Sequence, residues 1–98
     1  MAQQAIGLLE TRGLAALVVG TDAMLKAAEV NLVGPMRQVG NALCTSVVTG
    51  DVAAVKAATD VGAKAAAAIG QVVSVQVIPR AHPDTSLVLP QPVKPAKK

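Results

Sequence analysis

Residues 51–79, "DVAAVKAATDVGAKAAAAIGQVVSVQVIP", change their period part-way along, and that change decides the fold. Over 51–70 the residues Val52, Val55, Ala58, Gly62, Ala65 and Ile69 recur every three or four positions and trace one helical face. Lys56, Asp60 and Lys64, spaced four apart, form a polar stripe elsewhere on the same helix. Asp51 is placed to cap the helix start, and Gly70 stands where a helix-ending glycine belongs. Beyond it, Val73, Val75 and Val77 alternate with Ser74 and Gln76, which predicts a strand over 72–79 ended by Pro79. A helix faced mostly with Ala can lie very close to a sheet.

The same helix-and-strand vocabulary extends outward. "AIGLLE" at 5–10 reads as a buried strand, punctuated by "TRG" at 11–13. The stretch 14–28 follows as a helix with Leu14, Leu17, Val18, Thr21, Met24, Leu25 and Ala28 on its apolar face. Asp22 and Lys26 sit four apart in the favoured order, and Gly20 leaves room for another backbone to approach. Strands are expected at 30–33 and 43–48, the latter closed by "TGD" at 49–51. Between them "GPMRQVGNALC", 34–44, reads as an irregular turn. The order β-α-β-β-α-β predicts an α+β fold, an α/β sandwich of the ferredoxin-like kind: four strands, with two helices on one face. The other face is then left to solvent or to other subunits. Pro83, Pro90, Pro92 and Pro95 predict a mostly extended end with a short helical turn near 84–88. Residues 1–90 are expected to form the domain, and 91–98, "QPVKPAKK", a disordered basic tail.

Composition narrows the function. The chain has 98 residues, 52% of them hydrophobic, and contains no Phe, Trp or Tyr. A small chain without aromatic residues must pack its backbones closely or share burial with neighbours. The longest uncharged stretch, 65–79, is interrupted by Gly70, Gln71, Ser74 and Gln76, short of the roughly 20 apolar residues a spanning helix needs. No basic region followed by an apolar run opens the sequence, so no secretory signal is expected. A single cysteine, Cys44, forms no internal disulfide and fits a reducing, cytoplasmic setting. The net charge of +3 arises in the tail lysines Lys94, Lys97 and Lys98. With a near-neutral body and no bases-stacking aromatics, nucleic-acid binding has little support. The surplus of apolar residues favours a soluble homo-oligomer.

Catalysis finds no constellation. Cys44 falls in a strand, where a small buried thiol is the ordinary reading, and His82 has no second histidine to join it. There is no convergent set of metal ligands and no phosphate loop, since "GPMRQVG" lacks the GK[ST] ending and opens no helix. Neither an enzyme nor a cofactor is expected.

"AIGLLETRGLAALVVGTDAMLKAAEV", "NLVG", "VVTGDVAAVKAATDVGAKAAAAIGQVVSVQVIPRAH" and "LVLP" together resemble the single-domain, hexamer-forming class of bacterial microcompartment (BMC-domain) shell proteins. The resemblance runs from about Ala5 to Pro90. It implies a cyclic hexamer whose copies tile into flat facets of a protein organelle, with a six-fold pore for small polar metabolites. Pentameric, trimeric and other hexameric shell proteins are the implied partners, along with encapsulated enzymes. Lys26 matches an edge lysine that meets its counterpart across the hexamer boundary. Arg80 matches an arginine that reaches into the next hexamer, and His82, beside it, is placed in the same contact. Val39, Gly40, Asn41 and Ala42 match the pore loop, with Asn41 as the lining side chain, where many members carry Ser-Gly or Gly-Gly. Arg37 reads either as a cation near the channel mouth, favouring anions, or as a solvated surface residue. One residue within 35–38 is extra relative to the family pattern. The competing reading of the same fold is a small-molecule-sensing regulatory oligomer, for which the sequence holds no ligand motif.

Overall fold

The computed structural model describes residues 4–90, so the tail expected at 91–98 lies outside it. In chain order the elements are β1 (Ala5–Arg12), α1 (Leu14–Ala27), β2 (Val30–Leu32), β3 (Arg37–Gly40), β4 (Leu43–Gly50), α2 (Val52–Ala67) and β5 (Gln71–Ile78). A 3-10 turn at Pro83–Val88 follows, close to the helical turn expected there. The strands run β2-β4-β1-β5 across the sheet, every pair antiparallel, with β3 beside β4 as well. This is the ferredoxin-like arrangement with one strand more than the sequence suggested.

The extra strand comes from the segment read as an irregular turn. β2 and β3 lie along the same edge of β4, broken in the middle. Leu32 faces Val48, whereas Arg37 faces Thr45, so residues 33–36 span only Ser46 and Val47 on the other side. The break has a local cause. Pro35 has no N–H for the ladder, and Gly34 turns to φ 64°. Val33 makes the last bond before the break, its N–H donating to the Val47 carbonyl at 2.8 Å.

Both helices cover one face of the sheet. There Leu9, Cys44 and Val48 pack with Leu17, Met24 and Ala58 in the main core. The helices meet where both are glycine. A Cβ on Gly20 would stand 3.0 Å from the Gly62 carbonyl oxygen, so the close approach expected at Gly20 is made by α2. That contact rotates the buried faces from those expected. In α1 the buried residues are Ala16, Leu17, Gly20 and Met24, while Leu14, Val18 and Leu25 stay exposed. In α2 they are Val55, Ala58, Thr59, Gly62 and Ala66, while Val52, and Ile69 just beyond the helix end, stay exposed. The smallest residues, rather than the largest, mark the α1–α2 seam.

Two further expectations change. Gly70 does not close α2 with a positive φ. It makes room for α1 instead, since a Cβ there would lie 2.7 Å from the Ala16 Cβ. The second face of the sheet is not left bare along its whole length. Ile6 and Val47 are covered by Ala81, with Leu89 packed alongside, so the chain beyond β5 folds back over part of it.

Candidate functional sites at opposite ends of the sheet

The residues assigned to a pore form the tip of the β3–β4 hairpin. Gly40 faces Leu43, leaving Asn41 and Ala42 as a two-residue turn. Their φ angles, 54° and 62°, are both positive, which is a type I′ turn. Asn suits the first position, but the second is ordinarily Gly, and Ala42 holds a left-handed conformation against its own Cβ. Gly40, at φ 92°, has nothing within 4 Å of where a Cβ would stand. The register slips once between Gln38 and Gly40, so Val39 bulges outward and is 74% exposed. Arg37 is also exposed and faces Thr45, on the sheet face away from the helices. Glu10 faces Thr45 from β1 and accepts its hydroxyl hydrogen bond at 3.2 Å.

Two residues outside the expected set hold this tip. Arg12 Nη1 donates to the Asn41 carbonyl at 3.0 Å, and the Gly13 N–H donates to the Ala42 carbonyl at 2.7 Å. Arg12 Nε donates to Gln71 Oε1 at 3.2 Å. These partners lie 29 and 59 residues away in sequence. No local spacing could have revealed them, although "TRG" was visible as the end of a strand.

The residues assigned to a hexamer edge lie toward the other end of the sheet, Lys26 on the helix side and the chain around Ala81 on the opposite face. Lys26 lies in the last turn of α1, its Nζ 2.9 Å from Asp22 Oδ2 with both side chains largely exposed. Arg80 follows the end of β5, exposed, and its guanidinium makes no hydrogen bond or ion pair among the described residues. Ala81 is buried and fixes the chain between Arg80 and His82. His82 caps the 3-10 turn, its Nδ1 accepting from the Asp84 N–H at 3.0 Å. The His82 side chain is otherwise largely exposed.

The topology separates the two sets by the length of the sheet. β1 starts at Ala5, opposite Gly50, and β5 ends at Ile78, opposite Ile6. α1 runs antiparallel to β1, which brings Lys26 to that same end, near Val30 and Gly50. Arg12, Leu43 and Gln71 mark the opposite end, where the hairpin tip projects. Eight extended residues separate the two, about 25 Å. No chemistry joins them: His82 is at one end, and Cys44, buried against Thr11, is at the other. Among the described residues no three His, Cys, Asp or Glu side chains are grouped to hold a metal, and no helix is long and apolar enough to cross a membrane.

Residues 5–81 match the BMC domain. The chain belongs to the BMC-domain family. The bacterial microcompartment shell protein EutM of Salmonella typhimurium is 60% identical over 87 residues, which cover 89% of this chain and 90% of that protein. The shell protein PduA of Citrobacter freundii is 52% identical over 91 residues, covering 93% and 97%. Among solved structures, a microcompartment protein from Desulfitobacterium hafniense superposes with a TM-score of 0.77 at 32% identity. That match covers 98% of this chain and 53% of the other, so this BMC-domain chain spans about half of that protein.

Proposed function

We propose that this chain is a structural shell protein of a bacterial microcompartment in the cytoplasm. Six copies form a flat ring with the hairpin tips at its axis, and rings tile edge to edge through Lys26, Arg80 and His82. What supports this arrangement most is the placement of an exposed turn and an exposed basic edge at opposite ends of one rigid sheet. In a flat ring with the strands running outward from the axis, one end of the sheet at the axis puts the other at the rim. The unpartnered apolar surface of the single chain adds support. Val18, Leu25, Leu32 and Met36 line an open groove beside α1, and Leu87 and Val88 are 78% and 80% exposed. Surface of that kind is covered by neighbouring copies in an oligomer.

At the axis, Val39, Gly40, Asn41 and Ala42 from each copy line the opening. Six Asn41 amides donate and accept hydrogen bonds without fixed charge, which suits small polar metabolites. Arg37, set back on the face away from the helices, biases that mouth toward anions. Other shell proteins, pentameric, trimeric and hexameric, are the partners at facet edges and vertices, with enclosed enzymes behind them. The relatives named above are shell proteins rather than enzymes, which fits the absence of a catalytic constellation in the sequence.

Light scattering tests the ring: it should give six times the 9.8 kDa chain mass. A stable monomer or trimer would reject the proposal. Lys26→Ala should leave that mass unchanged while abolishing sheets and tubes in electron micrographs. Rings that come apart in this variant would show that Lys26 is not at the rim.

A further inference from the structure

Arg12 sits behind the turn, and its contacts reach three parts of the chain. Its own backbone ends β1, its Nη1 bonds the Asn41 carbonyl, and its Nε bonds the Gln71 side chain at the start of β5. Beside it, Gly13 N–H bonds the Ala42 carbonyl. Both carbonyls of the two-residue turn are therefore tied to one corner, where β1 passes into α1. That corner is itself anchored: the buried Thr11 hydroxyl donates to the Gly13 carbonyl at 3.0 Å, and the buried Cys44 Sγ lies 3.5 Å from the same oxygen. The turn needs such an anchor more than most. With Ala at its second position, it lacks the glycine that makes a type I′ turn favourable without outside help.

We propose that Arg12 is the positioning residue of the pore, a two-armed brace that fixes the 40–42 turn and with it the place of the Asn41 side chain. This rests on the reading of 39–42 as pore-lining. Arg12 acts through the turn and need not touch the passing molecule. The planar guanidinium sets its Nε and Nη1 donors in fixed relation, so one side chain spans β5 and the turn at once. A lysine keeps the charge but offers a single ammonium on a flexible stem, and it loses that geometry.

Amide hydrogen exchange on the assembled protein tests the brace, with Arg12→Ala, Arg12→Lys and Gln71→Ala compared with the unaltered chain. Exchange over 40–43 should rise on the order of tenfold in both Arg12 variants, the worth of one hydrogen bond from a charged donor. It should rise less in Gln71→Ala, while the central residues of β1 and β4 keep their protection. Unchanged exchange at 40–43 in the Arg12 variants would overturn the proposal. So would Arg12→Lys matching the unaltered chain while Arg12→Ala loosens, because charge alone would then hold the turn. A crystal structure of the assembled protein separates this from the pore reading. Asn41 far from the symmetry axis would reject the pore and leave the exchange result to decide the brace.

Discussion

A methyl group added at Gly62 has nowhere to go. Its Cβ would run into Met24 Cγ and stand 2.9 Å from the Gly20 carbonyl oxygen. Met24 is fully buried, and a helical carbonyl cannot step aside. Ala gains about 1 kcal/mol over Gly from helix propensity. Overpacking at a backbone contact costs roughly 1–3 kcal/mol, so the clash wins. Gly62→Ala should lower the free energy of unfolding by about 1 kcal/mol, read as an earlier midpoint at unchanged slope in denaturant titration, and a more stable variant would contradict the glycine seam. Ala42 presents the reverse case. Its left-handed backbone costs roughly 1–2 kcal/mol, and glycine's greater freedom in the unfolded chain returns about 0.4–1 kcal/mol of that. Ala42→Gly should therefore stabilise by about 0.5 kcal/mol in the same titration. The sequence exposed the small residues at both sites. It did not expose which neighbour each one meets, because those contacts join separate elements.

At the scale of elements, hydropathy periodicity located both helices and four of the five strands to within a few residues. It erred in their rotation. Leu14, Val18 and Leu25 satisfy the helical spacing as well as Leu17 and Met24 do, yet the structure turns them outward. Periodicity weighs residues by size, whereas this core is set by how closely two glycines let the helices approach. β3 was missed for another reason: Pro35 and the bulge at Val39 disrupt the alternation that announces a strand. The cap on α2 was legible, and Asp51 Oδ2 does accept from the Ala53 N–H, at 3.3 Å. Asp51→Ala should cost about 0.5–1 kcal/mol, visible as a lower thermal midpoint with unchanged assembly. Lys26→Ala should change the thermal midpoint very little, since its ion pair with Asp22 is exposed, even as it removes tiling.

At the scale of the whole molecule, one sheet carries two surfaces at its two ends, and their separation gives the proposed assembly its logic. The composition signalled part of this in advance. A chain that is half hydrophobic and free of aromatic residues leaves apolar side chains uncovered when it stands alone. Family resemblance supplied the expected residues at each end, and the topology places them apart. The bracing of the tip by Arg12 and Gly13 was not legible, since it depends on which strands become neighbours. The most direct measurement is electron cryo-microscopy of the assembled sheets. Six-fold rings with residues 39–42 around each axis and Lys26 and Arg80 at each ring boundary are the predicted result. Rings with the Lys26 end at the axis, or sheets without six-fold symmetry, would contradict it.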